Sequence, residues 1–294
     1  MLAYRAGSAV AQALPDAVAT PVGRAVGGAS AWLMPGPRHM AARHQRRAEP
    51  DAGSSAVRGV FESYGRYWVE MLRLPGDVRA GRISSLGRID GSEHIDNGLA
   101  RGNGVILALP HLGGWEWAGA EMARRGYDLL AVVERVEPPE LLEWFAEQRA
   151  AFGLEVVALG PDVSSTVLRA LRANRVVCLL CDRDIDGGGI EVEFFGERTT
   201  LPGGPATLAL RTGATVLPTA VYFRPGRDHL GVVRPPIEVE RMGRLREDIA
   251  RITQTIAQEL ELLIRAAPEQ WHLLQPNWPS DRAETNGGVT ACGS

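Results

Sequence analysis

Short apolar runs alternate with amphipathic segments along the middle of the chain. Runs typical of buried strands lie at 105–109, 129–133, 154–159, 176–180 and 215–223. Between these runs, apolar residues recur at helical spacing over 115–125, 139–152, 164–173 and 204–212. Alternating strands and helices at this spacing indicate βαβ units. The pattern therefore predicts an α/β fold whose central, mostly parallel sheet is flanked by helices on both faces.

The two ends of the chain have a different pattern. The pattern over residues 1–34 predicts one or two short helices with a mostly apolar surface. Pro35-Gly36-Pro37 then interrupts the chain, and helical spacing resumes over 56–74. After the last apolar run, the pattern predicts a strand over 229–239 and a closing helix over 245–266. We therefore expect three parts: an N-terminal helical, basic segment (1–80), an α/β domain (81–280) and a flexible tail (281–294).

Composition and charge exclude several classes of protein. The chain has 294 residues, of which 45% are hydrophobic and 23% charged, as in a folded globular protein. Its net charge of −3 excludes a chain-wide basic surface for nucleic acid. Three cysteines do not make a disulfide framework, and the spacing of Cys178 and Cys181 falls inside a predicted buried strand, so we expect packed thiols and no metal site.

Membrane contact is expected at a surface rather than through a span. The longest stretch without Asp, Glu or Arg runs from Gly102 to Trp115, too short for a spanning helix, which needs roughly 20 apolar residues. Basic residues beside Trp32 and Trp68 instead suit an anionic membrane surface, unless they form a solvated loop. These residues are Arg38, Arg43, Arg46 and Arg47.

The strongest candidate for chemistry is the segment from Pro110 to Glu116. His111 follows a predicted buried strand, Gly113-Gly114 allows a tight turn, and Glu116 begins the next helix. At the carboxyl end of a strand, where ligands of open α/β sheets bind, an imidazole oriented by a carboxylate can act as a general base toward a hydroxyl. The alternative is a helix start in which Glu116 favours the helix dipole and His111 is merely packed.

This segment resembles a known motif. His111-Leu-Gly-Gly-Trp-Glu116 is similar to the His-x4-Asp/Glu signature of the glycerolipid acyltransferase superfamily, in the branch that contains the bacterial lipid A acyltransferases. Within that branch the chain most resembles the actinobacterial phosphatidylinositol mannoside acyltransferases, from about Val57 to Pro279. Further blocks that resemble the family are Arg149-Ala-Ala-Phe-Gly153, Cys181-Asp-Arg-Asp184, Phe194-Phe-Gly196 and Pro268-Glu-Gln-Trp271.

The resemblance implies direct transfer of a long-chain acyl group from acyl-CoA to a sugar hydroxyl, without a cofactor, a metal or an acyl-enzyme. His111 would take the hydroxyl proton, and Glu116 would orient or charge-stabilise the imidazole. Asp182 follows another predicted strand at the same sheet edge and is a second candidate carboxylate; the sequence leaves open which acid touches His111. Backbone N–H groups of the Gly113-Gly114 turn are candidates to meet the oxyanion.

Substrate-binding residues follow from the chemistry of a phosphoinositide-derived acceptor. Arg149 is the first candidate for its phosphate because a guanidinium offers a bidentate fork, and Arg183 and His272 come next. Glu134, just past a predicted strand, is expected to accept hydrogen bonds from sugar hydroxyls. The acyl tail needs an apolar groove, for which helix residues 115, 117, 118 and 122 are candidates unless they are ordinary core.

Three other functions remain open on sequence alone. The acceptor is a different glycolipid, or the chain is a catalytically silent lipid-binding protein of the same fold, or it is a lipid hydrolase. The resemblance favours a peripheral enzyme on the cytoplasmic face of the membrane that acts on a mannosylated phosphatidylinositol. The lipid A enzymes carry an N-terminal membrane span that the pattern does not predict here.

Overall fold

A twisted sheet forms the centre of the fold. The computed structural model describes residues 2–135, 139–185 and 187–282. The strands within those ranges are, in chain order, β1 (Gly87–Asp90), β2 (Val105–Leu109), β3 (Leu129–Val133), β4 (Leu154–Ala158), β5 (Val176–Leu180), β6 (Ile190–Phe194), β7 (Glu197–Leu201), β8 (Thr215–Phe223) and β9 (His229–Val233). Seven of them lie side by side in the order β1-β9-β8-β2-β5-β3-β4, whereas β6 and β7 form a separate antiparallel hairpin.

Helices cover both faces of this sheet. The α-helices of the described part of the chain are, in order, α1 (Leu2–Ala13), α2 (Asp16–Leu33), α3 (Pro35–Ala48), α4 (Ser54–Arg79), α5 (Glu93–Leu99), α6 (Trp115–Arg124), α7 (Pro139–Ala150), α8 (Val163–Arg172), α9 (Gly204–Thr212) and α10 (Leu245–Arg265). Leu171, Ile256 and Leu260 pack on one face of the sheet, and Ile95 and Met122 pack on the other. The predicted α/β architecture with flanking helices is confirmed.

The strand register brings two distant residues to one edge of the sheet. All of the neighbouring pairs are parallel except β8 with β9, which is antiparallel. β2 is buried along its whole length and lies between β5 and β8. Leu109 stands opposite Leu180 at the carboxyl ends of β2 and β5. Two residues further along each chain segment, His111 and Asp182 therefore leave the sheet side by side.

Glycines bring the N-terminal helices close to each other. A Cβ on Gly65 of α4 would stand only 2.8 Å from the Cα of Gly27 of α2, so the backbones themselves are in contact. α2 therefore lies directly on α4, whose other residues extend toward the edge where His111 emerges. None of the helices in the described part of the chain is long and apolar enough to cross a membrane.

Several predicted boundaries are wrong. Residues 35–48 form helix α3 rather than a break, because Pro35 occupies the start of the helix, where its missing N–H breaks no hydrogen bond. β9 ends at Val233, and Pro235-Pro236 follows, which cannot donate to a strand ladder. The predicted flexible tail (281–294) begins too early, since Asp281 is fully buried; residues 283–294 lie outside the described residues.

Candidate active site

His111 is held by Asp182 through two hydrogen bonds. The imidazole Nδ1 lies 2.6 Å from Asp182 Oδ1, and the backbone N–H of His111 donates to Oδ2 at 3.0 Å. A carboxylate opposite Nδ1 favours the tautomer that carries its proton there. The lone pair is then on Nε2, so the imidazole can accept a proton from a ligand. Of the two candidate acids, the structure places Asp182 at His111.

Asp182 is an ionised carboxylate in a fully buried position. It is 0% exposed, and its Oδ2 also accepts a hydrogen bond from the indole N–H of Trp271 at 2.7 Å. Burial raises the pKa of this carboxyl, but the imidazole of His111 and the surrounding N–H donors outweigh burial and lower the pKa below its ordinary value. Asp182 therefore stays charged and stabilises a positive charge on the imidazole.

Glu116, expected to orient or charge-stabilise His111, instead pairs with Arg149. The Arg149 Nε donates to Glu116 Oε2 at 3.1 Å, and a second guanidinium nitrogen donates to Oε1. The Tyr67 hydroxyl donates to the same carboxylate at 3.2 Å. The motif acid thus joins α6 to α7 and α4. The physical reason is that Glu116 lies in the first turn of helix α6 and its side chain is buried against α4 and α7, while Asp182 fills the space beside the imidazole.

Arg149, the first candidate for the acceptor phosphate, is committed to this internal ion pair. Its guanidinium is mostly buried; burial lowers the pKa, but the Glu116 carboxylate outweighs it and raises the pKa above the ordinary value. Burial, followed by the Glu116 charge, raises the pKa of the Tyr67 phenol well above its ordinary value. Arg149 is therefore permanently charged, and its charge is balanced within the protein. It joins α7 to the first turn of α6, the helix that follows His111.

The glycine turn after His111 is closed by backbone hydrogen bonds. Gly113 has a left-handed backbone with φ +63, and a Cβ there would run into the Val221 carbonyl. Its N–H donates to the Gln270 carbonyl at 3.0 Å, and the Gly114 N–H donates to the Val221 carbonyl at 3.1 Å. Both N–H groups are already used, so the expectation that they meet an oxyanion is wrong in this conformation.

His272 is a neutral imidazole in an aromatic cluster. Its Nε2 lies 2.8 Å from the Ser63 hydroxyl, and its backbone N–H donates to the His111 carbonyl at 2.7 Å. Burial, with a smaller contribution from His111, lowers its pKa to about 3. A neutral ring has no charge to offer a phosphate, so the expected phosphate contact is replaced by support of the His111 backbone.

Glu134 and Arg183 lie together at a cavity that His111 also lines. One guanidinium nitrogen of Arg183 lies 2.6 Å from Glu134 Oε2. The cavity holds about 420 Å³ and has a largely apolar wall. Its apolar side chains come from β3, β4, β5, α8 and α9 and the segments next to them: Val132, Leu159, Val163, Val167, Leu179, Leu180, Ile185 and Leu208.

The residues that the sequence offered for an apolar groove lie elsewhere. Trp117, Ala118 and Met122 are buried in the core on the α6 face of the sheet, and Trp115 packs against that core and against His272. The ordinary-core alternative is therefore the correct one. The cavity wall was missed because its residues are scattered over several elements, although apolar side chains at the carboxyl ends of three parallel strands were a usable signal.

Thiol and metal chemistry have no support in the described part of the chain. Burial raises the pKa of the Cys178 thiol to about 12, and burial together with the charge of Asp182 raises that of Cys181 further. Both are packed thiols, as predicted. Among the described residues, no three His, Cys, Asp or Glu side chains are placed to hold a metal ion.

Comparisons with known proteins point to one kind of enzyme. A family model described as bacterial lipid A biosynthesis acyltransferase matches residues 10–280. A phosphatidylinositol mannoside acyltransferase from Mycobacterium tuberculosis (strain ATCC 25618 / H37Rv) is 42% identical over 229 residues, which cover 76% of this chain and 71% of that protein. Its namesake from Mycolicibacterium smegmatis (strain ATCC 700084 / mc(2)155) is 35% identical over 290 residues, or 96% of this chain and 92% of that protein.

Proposed function

Because the chain belongs to the bacterial lipid A biosynthesis acyltransferase family and is an acyltransferase, we propose that it moves a long-chain acyl group from acyl-CoA to a mannose hydroxyl of a phosphatidylinositol mannoside. The acceptor is inferred from the names of the two mycobacterial relatives. The observation that carries the proposal is the His111–Asp182 pair: the imidazole is hydrogen-bonded to a buried carboxylate and lies at the wall of an apolar cavity.

In the proposed reaction His111 acts as general base. Its Nε2 takes the proton of the acceptor hydroxyl while that oxygen attacks the thioester carbonyl. A C–O bond forms and the C–S bond breaks, and the imidazolium returns its proton to the departing thiolate. Asp182 holds the ring by Nδ1 and stabilises the imidazolium between the two proton transfers. The acceptor oxygen is the nucleophile, so the reaction needs no acyl-enzyme.

The cavity suits the acyl chain of the donor. His111 stands at its wall, and the remaining wall is mainly formed by aliphatic side chains from the sheet edge and from α8 and α9. Burying an acyl chain there releases apolar surface from water at about 0.8 kcal/mol per methylene. A chain bound in this cavity has its thioester at the end where His111 lies.

Glu134 and Arg183 are the proposed contacts for the polar head group of the acceptor. Both line the same cavity as His111, and their ion pair is about half exposed on the Glu134 side. A carboxylate accepts hydrogen bonds from sugar hydroxyls, and a guanidinium binds phosphate oxygens. Arg149 pairs with Glu116, and the backbone of His272 holds that of His111, so both are proposed to support the site rather than to bind the acceptor.

Peripheral binding to the cytoplasmic face of the membrane is proposed through α2. This helix exposes Val22, Val26 and Trp32, the last at 79% of its surface, and residues 17–48 contain no acidic side chain. Arg38 lies over the Trp32 ring. Of the four arginines expected at lipid, Arg43 and Arg47 instead form ion pairs with buried Asp281. The apolar face of α2, with Arg38 and Arg46, is therefore the proposed lipid contact.

Transfer of labelled palmitoyl-CoA to a panel of glycolipid acceptors tests the function. We expect the label on phosphatidylinositol mannosides, and loss of transfer in His111→Gln with unchanged folding. His94→Gln, the same exchange on α5 away from the cavity, is the matched control. Label on another glycolipid class alone would reject the proposed acceptor. Label released only as free fatty acid, whatever acceptor is present, would indicate a hydrolase. Full transfer by His111→Gln would reject the general base.

A further inference from the structure

The segment Gln270–His272 is tied to the backbone of the His111 loop. Trp271 and Leu112 form an isolated antiparallel bridge. On either side of it, His272 N–H donates to the His111 carbonyl and Gly113 N–H donates to the Gln270 carbonyl. The three-residue segment thus pairs with His111, Leu112 and Gly113 as a short strand would. The position of the His111 main chain is therefore fixed by this segment.

The side chain of Trp271 reaches Asp182, the hydrogen-bond partner of His111. The indole N–H of Trp271 donates to Asp182 Oδ2 at 2.7 Å, and both side chains are buried. The indole itself is held by aromatic contacts, with ring centroids 5.4 Å from Phe195 and 6.2 Å from Phe194. Its orientation is therefore set by packing, and its N–H points at one oxygen of the carboxylate.

We propose that Trp271 is a positioning residue of the transfer reaction, which holds Asp182 through its indole N–H, while the backbones of its neighbours Gln270 and His272 hold the His111 loop. The inference rests on the proposed function, in which His111 is the base. Asp182 has two carboxylate oxygens. Trp271 and the His111 N–H occupy Oδ2, so Oδ1 is directed to the imidazole Nδ1. Loss of the indole donor leaves a buried anion with one hydrogen bond fewer and freer to rotate.

The consequence is a shift in the pH dependence of the base. In its active form the pair carries one negative charge, because the imidazole is neutral and Asp182 is ionised. After protonation the pair carries no net charge. Removal of a donor from a buried anion raises the energy of the charged form more than that of the uncharged form. The pair then takes up its proton at higher pH, and the acid limb of the rate profile moves upward.

Trp271→Phe tests this role, with Trp278→Phe as the matched control. Trp278 is also buried, and its indole N–H donates to the Phe194 carbonyl at 3.2 Å, not to Asp182. We expect kcat of Trp271→Phe to fall at least tenfold, with its acid limb about one pH unit higher, since a hydrogen bond to a charged group is strong. The KM for the acyl donor should stay unchanged, and Trp278→Phe should keep the wild-type limb.

A second variant removes only the donor. Incorporation of 3-benzothienylalanine at position 271 replaces the indole N–H by sulfur and retains the ring size, so it serves if Trp271→Phe does not fold. Titration of His111 followed by NMR in the free enzyme reads the pair without any turnover. If His111 titrates at higher pH in both variants than in the wild type, the positioning role is supported. This holds even if no acceptor tested is acylated, a result that would reject the proposed function alone. An unmoved titration and acid limb in the folded benzothienyl variant would overturn the inference.

Discussion

The carboxylate of Glu116, five residues after His111, accepts two hydrogen bonds from the guanidinium of Arg149. Both side chains are largely buried, and Tyr67 donates a third bond to the same carboxylate. The ion pair connects the helix that follows His111 to α7, the helix between β3 and β4. In this protein the acid of the His-x4-Glu motif therefore holds helices α4, α6 and α7 together and does not contact the imidazole.

Removing one partner of this pair should lower stability. Glu116→Gln leaves the buried Arg149 charge uncompensated, so we expect the free energy of unfolding in urea to fall by about 3 kcal/mol. The double variant Glu116→Gln/Arg149→Met should recover part of that loss, because no charge is left unpaired. Glu191→Gln is the control, since its ion pair with Arg198 is exposed and contributes about 0–1 kcal/mol. Equal losses in Glu116→Gln and Glu191→Gln would contradict the structural role.

Asp182→Asn should separate the two acids by activity. The substitution preserves size and removes the charge that stabilises the imidazolium, so we expect kcat to fall at least about 100-fold at unchanged KM for the donor. Glu116→Gln should lose less once the assay is run where both variants are folded. Steady-state rates at saturating acyl-CoA provide the comparison. A larger loss in Glu116→Gln than in Asp182→Asn would assign the imidazole to the motif acid after all.

The sheet was predictable because each central strand is a short apolar run. β2 is buried along its whole length and β5 is buried or half-buried at every position, so both sequences are continuous apolar runs. The positions of His111 and Asp182 just past these two strands then followed from the parallel arrangement. The sequence predicted the edge at which they meet, and left open the hydrogen bond between them.

The contacts that were mispredicted depend on side-chain direction. Spacing alone allowed Glu116 to face either His111 or the interior, and only the packing of α6 against α4 and α7 decides between them. Arg43 and Arg47 look like surface charges in sequence, but their partner Asp281 lies more than 200 residues away. Long-range pairs of this kind leave no local pattern, and the cavity wall is likewise assembled from residues of several distant elements.

Filling the cavity should shorten the acyl chain that the enzyme accepts. Val167 is buried on α8 and lines the cavity, so Val167→Phe takes space from the chain. We expect kcat/KM for palmitoyl-CoA to fall relative to that for a shorter donor such as octanoyl-CoA, by about fourfold for each excluded methylene. Leu168→Phe is the control, because the side chain of Leu168, the next residue of α8, lines a separate surface depression. An unchanged chain-length profile in folded Val167→Phe would place the acyl chain elsewhere.

His272 should make the protein acid-sensitive. The folded protein keeps this imidazole neutral down to about pH 3, whereas the unfolded chain protonates it near 6.5. Between these values the unfolded state binds the extra proton, so stability falls as the pH falls through this window. Between pH 7 and pH 5, we expect the free energy of unfolding in urea to fall by about 2 kcal/mol less for His272→Gln than for the wild type. His94→Gln, a less buried histidine, should behave as the wild type, and a wild-type slope in His272→Gln would contradict the assignment.

The apolar face of α2 should determine binding to lipid vesicles. Val26 is 64% and Trp32 79% exposed, so both residues present apolar surface on the outside of α2. Val26→Asp and Trp32→Asp each remove apolar area and add a charge that anionic lipid repels, so we expect at least tenfold weaker sedimentation with anionic liposomes. Arg38→Gln should weaken binding about fivefold at low salt, and less at high salt.

Two comparisons make the membrane prediction specific. Met242→Asp places the same charge on an exposed apolar residue outside α2, and it should leave sedimentation unchanged. Arg43→Gln should lower the free energy of unfolding and leave lipid binding unchanged in the folded protein, because Arg43 is paired with Asp281 inside the protein. If Arg43→Gln abolished sedimentation while Val26→Asp and Trp32→Asp did not, the lipid contact would lie on α3 rather than on α2.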